Sequence, residues 1–153
     1  MTKSQDSQPI ARLRWIEIDT PDPDPLVAFW SAVLGVEVDA PADGDQPPFQ
    51  YTALTSAEPG GPQIVFQRVP EPKTIKNRLH FDLLVEDVDD ACTRIEALGG
   101  RRRDDHDFHN AEPMPAPIVE PGWSWRRMAD PQGNEFCLIY SVPEGVRSQT
   151  SRP

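Results

Sequence analysis

The chain has 153 residues, and 15 Lys or Arg against 25 Asp or Glu give it a formal net charge of -10 at pH 7 and a pI near 4.6. This length suits one compact domain with a substantial buried interior. The acidic balance argues against nucleic acid and anionic membranes as partners, because either would be bound against a repulsive field.

Both ends of the chain are polar. Residues 1–10 and 143–153 are expected to be flexible tails that flank a domain at 11–142. The first tail lacks the apolar segment of a signal peptide, and no apolar run approaches the roughly 20 residues that span a bilayer. The sequence therefore predicts a cytoplasmic protein.

The first half of the domain begins with a strand at 12–20. A helix is expected to follow, with Asp24 as a candidate N-cap, Pro25 as its first residue and Gly35 as its left-handed stop. Its apolar face is expected to consist of Leu26, Phe29, Trp30, Val33 and Leu34. Three more strands are expected at 36–38, 49–54 and 63–69, separated by turns at 43–45 and 59–62.

The second half has the same order of elements. A strand is expected at 79–85 and a helix at 88–98. The inner face of that helix is expected to carry Ala91, Cys92, Ile95 and Leu98. Strands at 100–103, 123–128 and 135–140 follow, and the tight turn Asp130-Pro-Gln-Gly-Asn134 joins the last two. Cys92 and Cys137 are expected to be buried thiols and not a disulfide framework.

Two segments show that these halves are copies of one unit. Trp15-Ile-Glu-Ile-Asp19 and His80-Phe-Asp-Leu-Leu84 both read as strands, and Asp22 and Asp87 each follow the first residue by seven positions. An internal repeat of this kind predicts two related modules, at 11–70 and 78–142, in an α+β fold. The main difference between them is residues 104–121, an insertion with four prolines that we expect to form a flap over a cavity.

Three motifs carry a family resemblance. They are the helix end Phe29-Trp30-x-x-Val33-Leu34-Gly35, the helix start Val85-x-Asp87-Val88-Asp89, and the turn Asp130-Pro-x-Gly-Asn134 before an apolar strand. Together with the repeat they resemble the vicinal oxygen chelate superfamily of glyoxalases, bleomycin-resistance proteins and extradiol dioxygenases. The resemblance implies two βαβββ modules that form a curved half-barrel sheet around a central cavity, commonly completed in a homodimer.

The resemblance also implies four inward-facing metal-ligand positions. Carried over by position, they fall on Trp15, Gln67, His80 and Cys137. Trp has no lone pair to donate and Gln offers only a neutral carbonyl. A catalytic zinc site needs three protein ligands and an open position. We therefore expect no metal and no other cofactor.

The same positions still predict a ligand-binding surface. Side chains alternate along a strand, so Glu17 and Asp19 should share the face of Trp15, and Asp82 that of His80. The predicted ligand-binding residues are Trp15, Glu17, Gln67, His80, Asp82, Trp125 and Cys137. His80 is either a proton shuttle beside a carboxylate or a hydrogen-bonded core residue. Trp15 and Trp125 are either stacking walls or core packing.

Other candidates have plainer explanations beside their functional ones. His106 and His109 have chelating side chains in a polar loop. The runs Arg101–Arg103 and Arg126–Arg127 could hold an anionic substrate or face solvent. Cys137 as a nucleophile would need an activating base such as His80.

The sequence supports three functional hypotheses. The leading one is a metal-independent, glyoxalase-like protein that binds a small organic molecule in its half-barrel cavity. The second is a lyase or isomerase that uses His80 to move protons. The third is a drug-sequestering resistance protein without catalysis, and fold membership alone does not decide among the three.

Overall fold

The structure is a computed structural model that describes residues 9–39, 48–103 and 123–141, with the side chains of 123 and 124 left aside. The chain divides into two compact units, 1–72 and 73–153. The predicted insertion at 104–121, the turn at 43–45 and most of the two predicted tails lie outside the described residues.

The first unit contains one helix and one mixed sheet. Its elements are β1 (Trp15–Thr20), α1 (Pro23–Leu34), β2 (Tyr51–Ala53) and β3 (Gln63–Arg68). The strand order is β1-β3-β2, with β3 parallel to β1 and antiparallel to β2. The strand predicted at 36–38 is reduced to a single bridge between Val38 and Leu54.

Helix α1 packs by the apolar face that its sequence predicts. Leu26, Phe29 and Trp30 are buried, and the two aromatic rings meet edge to face with centroids 5.3 Å apart. Gly35 ends the helix at φ 65°, a left-handed conformation that costs glycine little.

The predicted start of α1 was wrong by two residues. The N-cap is Asp22 and not Asp24, and Pro23 is the first helical residue. Pro23 and Pro25 are both compatible with the first turn of a helix, because the backbone N–H groups of that turn have no acceptor within the helix. The chain takes the earlier start and buries Pro23.

The second unit repeats this plan with one more regular strand. Its elements are β4 (Asp82–Leu84), α2 (Val88–Ala97), β5 (Arg101–Arg102), β6 (Trp123–Ala129) and β7 (Glu135–Ser141). The strand order is β4-β7-β6-β5, with β4 parallel to β7 and the other pairs antiparallel. The predicted α+β fold of two related modules is confirmed.

Helix α2 begins on a side-chain cap. The carboxylate of Asp87 accepts hydrogen bonds from the amides of Asp89 and Asp90, each at 3.0 Å. Cys92 and Ile95 are buried as predicted, and the Cys92 Sγ lies 3.8 Å from the Met128 Sδ on β6. The prediction that Leu98 lies on the inner face was wrong, since α2 ends one residue earlier and Leu98 is 42 % exposed.

The turn between β6 and β7 is built on one buried carboxylate. Asp130 Oδ1 accepts from the amides of Gln132 and Asn134 at 3.0 and 2.9 Å, and Oδ2 accepts from Asn134 Nδ2 at 2.8 Å. Gly133 adopts φ 88°, which a residue with a Cβ rarely does. This turn fixes the register of the hairpin, and so which side chains of β6 and β7 lie side by side.

None of the helices in the described ranges combines the length and apolar character needed to cross a membrane.

Candidate functional site

In the first unit, β1 presents one face to the interior and one to the outside. Trp15, Glu17 and Asp19 are exposed, whereas Thr20 is fully buried. Trp15 is 58 % exposed and lies under the Arg14 guanidinium, whose carbon is 5.5 Å from the ring centroid. In this unit the ring is thus neither core packing nor part of a closed wall.

Trp15 and Gln67, two of the three predicted site residues of the first unit, share a face of the sheet but are not neighbours. Gln67 is opposite Asp19 on β1, and Trp15 is opposite Gln63. Four residues of strand separate the two positions, about 13 Å at the usual rise. The residue opposite Trp15 is thus Gln63, and its side-chain Nε2 donates to Asp39 Oδ2 at 2.9 Å. The first unit therefore does not bring Trp15 and Gln67 together.

The second unit does bring its predicted residues together. One ligand atom from each of His80, Asp82 and Cys137 lies within 4.8 Å of the other two. His80 Nε2 is 3.5 Å from Asp82 Oδ1, and Asp82 is opposite Cys137 in the parallel pair of β4 and β7. The amide of Cys137 donates to the carbonyl of Phe81 at 2.8 Å, which fixes β4 against β7 at this point.

Burial makes the thiol of this cluster a weak acid. The pKa of Cys137 is raised from its usual 9.0 to about 11, chiefly by burial and then by the charge of Asp82 and a hydrogen bond to it. Arg127 and Lys76 act in the opposite direction but do not offset these effects. A thiol that keeps its proton at neutral pH is a poor nucleophile. The cluster thus offers an imidazole, a carboxylate and a neutral thiol, which can exchange hydrogen bonds or a proton with a ligand.

The register places further side chains beside this cluster. The face of the second sheet opposite α2, which we call the helix-free face, carries Asp82, Cys137 and Arg127 side by side, because Cys137 pairs with both of the others. The half-buried Trp125 is opposite Ile139 on the same face. The structure therefore places a polar cluster next to an apolar strip.

Glu135 is also on this face, where its carboxylate interacts with Asn77 and Lys73. Its carboxylate accepts from the Asn77 amide at 3.0 Å and lies 3.3 Å from Lys73 Nζ. Burial raises its pKa, but the Asn77 amide and Lys73 together lower it below the usual value. Glu135 thus ties the segment that precedes His80 to the start of β7.

The two units differ at the position that corresponds to Cys137. Glu17 stands two residues after Trp15 and Asp82 two residues after His80, so the two carboxylates are counterparts. Asp82 is opposite Cys137, but Glu17 is opposite Val65, which has no donor atom. Gln67 lies two residues further along, so the register gives the first unit no counterpart of the thiol.

Sequence alternation alone does not show which face of the sheet each arginine side chain lies on, but the structure does. Arg102 points to the helix side, where its Nε lies 3.2 Å from Glu96 Oε1 of α2. Arg127 and Arg103 lie on the helix-free face and are half-buried. The candidate ligands His106 and His109 lie outside the described residues.

The donor set of the cluster is a poor match to the hard divalent cations among those that the family resemblance implies. Mg²⁺ and Ca²⁺ prefer oxygen ligands, and only one of the three donors here is an oxygen. Zinc accepts all three donor types but has to displace the proton of the Cys137 thiol before the thiolate can bind it. The positive charges of Arg127 and Lys76 act on the same site.

A family model described as a glyoxalase-like domain matches residues 15–139. No curated protein matches the chain.

Many solved structures have a similar fold. One is a glyoxalase/bleomycin resistance protein/dioxygenase family enzyme from Burkholderia phytofirmans PsJN, with 20% identity, a TM-score of 0.59, and coverage of 86% of this chain and 100% of that one. Another is the fosfomycin resistance protein FosX from Listeria monocytogenes, with 18% identity, a TM-score of 0.62, and coverage of 88% and 94%. A third is TioX from Micromonospora sp. ML1, with 18% identity, a TM-score of 0.50, and coverage of 86% and 100%. At these identities the likeness concerns the fold alone.

Proposed function

The chain belongs to the glyoxalase-like domain family, and on that basis we propose that it binds a small organic molecule on the helix-free face of its second sheet without a divalent cation. The observation that carries the proposal is the convergence of His80, Asp82 and Cys137 within 4.8 Å beside the strip of Trp125 and Ile139. Ligand sites in proteins typically combine apolar walls with a few convergent polar groups. This face has both.

Each part of the surface has a separate role in binding. The indole of Trp125 and the side chain of Ile139 offer apolar contact to a flat or aliphatic part of the ligand. The Nδ1 atom of His80 can donate or accept a hydrogen bond with the ligand. Asp82 orients the imidazole ring through its contact with Nε2. Cys137 contributes a neutral thiol donor that is a poor nucleophile at neutral pH.

The donor chemistry supports binding without a required cation. The thiol of Cys137 carries its proton and shares it with Asp82, so two of the three donors are committed to each other. A bound cation would have to displace that proton beside two positive side chains. Ligand binding that uses the hydrogen-bonding cluster directly needs no such displacement.

Native mass spectrometry of the purified protein tests the proposal most directly. The expected result is an organic adduct, or a site that an added organic ligand fills, with no stoichiometric metal. The same spectrum reports the subunit count and thereby tests the expected homodimer. A metal ion retained at one per chain and lost on Cys137→Ser would contradict the metal-free part of the proposal.

A second function is favoured by one contact. His80 Nε2 lies 3.5 Å from Asp82 Oδ1, which is the arrangement of an imidazole oriented by a carboxylate for proton transfer. On this alternative the protein is a lyase or isomerase and His80 is its general base or acid. Once a substrate is known, His80→Gln should lower kcat by about 100-fold or more if the imidazole moves a proton. Binding without any product by mass spectrometry would instead identify a sequestering protein.

A further inference from the structure

His80 is the member of the polar cluster that lies outside a strand. Cys137 is within β7 and Asp82 begins β4, so the hydrogen bonds of the sheet fix the backbone of both. The segment that leads into β4, residues 70–81, is irregular, and His80 stands in it two residues before the strand. Irregular backbone has more conformational freedom than a paired strand. The imidazole therefore needs other contacts to keep a defined position.

Two contacts with β7 hold the backbone on either side of His80. The carbonyl of Phe81 accepts from the Cys137 amide at 2.8 Å. The amide of Asn77 donates to the Glu135 carboxylate, at Oε2, at 3.0 Å. His80 thus belongs to a span of three residues between two anchors, and the anchors lie two positions apart on β7.

The anchor at Asn77 depends on a buried charge. Glu135 is 7 % exposed, and the Nζ of Lys73 lies 3.3 Å from its Oε2. The same ammonium donates to the carbonyl of Ile75 at 2.6 Å, so it joins the carboxylate to the backbone of the segment a second time. A buried carboxylate is costly unless it is paired and hydrogen-bonded. Asn77 and Lys73, which meet this need, both belong to the segment that carries His80.

We propose that Glu135 is a positioning residue for His80, because it holds residues 73–77 against β7 and so keeps the imidazole beside Asp82. The imidazole Nε2 lies 3.5 Å from Asp82 Oδ1, and a small backbone shift lengthens that distance beyond hydrogen-bond range. Since Glu135 is buried, it acts through His80 and not by contact with the ligand. The inference rests on the proposed function for the role of His80, and it names the residue that sets the geometry of that same site.

Nuclear magnetic resonance of the full chain without ligand tests the inference by two readouts. Hydrogen exchange of the Asn77 amide reports the anchor. Long-range proton–nitrogen spectra of the neutral imidazole report which nitrogen of His80 carries the proton, and a His80→Gln spectrum assigns those signals. Glu135→Ala removes the anchor, whereas Glu135→Gln keeps one acceptor oxygen. Glu96→Gln is the matched control, because it breaks the ion pair with Arg102 on the helix side of the same sheet.

The expected pattern separates positioning from a general loss of stability. Glu135→Ala speeds exchange of the Asn77 amide about tenfold, as for a lost hydrogen bond to a charged group, and leaves exchange of the Cys137 amide within about twofold. The proton of His80, which the facing carboxylate holds mainly on Nε2 in the parent protein, becomes shared between the two nitrogens. Glu135→Gln gives a smaller change in both readouts, and Glu96→Gln changes neither.

Two outcomes would overturn the inference. One is faster exchange of the Asn77 amide with unchanged imidazole signals, which would show that Glu135 holds the segment but does not position His80. The other is a change of the same size in Glu96→Gln, which would trace the effect to net charge. Where Glu135→Ala does not fold, Glu135→Gln decides between the same outcomes. Both readouts are taken without ligand, so a failure of the chain to bind any organic molecule would count against the proposed function alone.

Discussion

Asp82 and Cys137 are directly opposed on parallel strands, and the thiol of Cys137 donates a hydrogen bond to the carboxylate of Asp82. The pair is asymmetric in exposure, since Asp82 is exposed and Cys137 is only 8% exposed. The carboxylate can therefore meet a ligand while the thiol behind it stays protonated. This relationship gives the site its charge distribution at neutral pH.

The raised pKa of Cys137 predicts slow alkylation and a stability loss in alkali. The unfolded thiol ionises near 9.0 and the folded one near 11, so the unfolded state loses its proton first and stability falls between these two pH values. Ultraviolet absorbance of the thiolate in a Cys92→Ser background measures the folded pKa. Asp82→Asn should lower that pKa and speed alkylation. A folded pKa at or below 9 in the parent protein would contradict the prediction.

Glu135 predicts a stability loss in acid. Burial raises its pKa, but the Asn77 amide and Lys73 lower it below the usual 4.5, so its contribution is present above that pH and is lost as the pH falls through the folded value. Glu135→Gln should reduce stability at pH 7 by about 1 kcal/mol and flatten the acid dependence. Urea unfolding at several pH values measures both effects. The matched control is Glu86→Gln, an exposed carboxylate whose removal should leave the acid slope unchanged.

The features that the sequence predicts best are those that local chemistry decides. Gly35 and the turn from Asp130 to Asn134 depend on residues close in the chain, and both are found as expected. Element ends are less certain because competing residues stand side by side. Pro23 and Pro25 could each begin α1, and Leu98 falls just beyond α2.

The site was only partly predictable for a different reason. Family position and strand alternation predict His80, Asp82 and Cys137 as site residues, and the structure places them together. That Asp82 and Arg127 stand on either side of Cys137 depends on the strand order β4-β7-β6-β5, which joins segments far apart in sequence. Alternation shows which residues of one strand share a face. It does not show which residues of other strands stand beside them.

Asp130→Ala should destabilise the second unit more than any exposed acidic substitution. The change leaves the amides of Gln132 and Asn134 without their acceptor in a turn where Asp130 is fully buried. The expected loss is about 2 to 3 kcal/mol, the usual range for buried donors left unpaired. Urea unfolding measures it against Asp24→Ala, an exposed acid in the first turn of α1. Similar losses in the two variants would refute the role given to the turn.

Chelators should not affect ligand binding if, as proposed, Cys137 acts as a protonated donor and not as a thiolate ligand. Ligand affinity measured by calorimetry should be the same before and after treatment with EDTA. Added zinc should compete with the ligand and release a proton, since binding requires the thiolate. That competition should strengthen as the pH rises toward the pKa of about 11 and should be weakened by Cys137→Ser. Cys92→Ser is the matched control, because Cys92 is buried against Met128 on the other side of the sheet. Ligand binding that EDTA abolishes and zinc restores would show instead that the cation is part of the site.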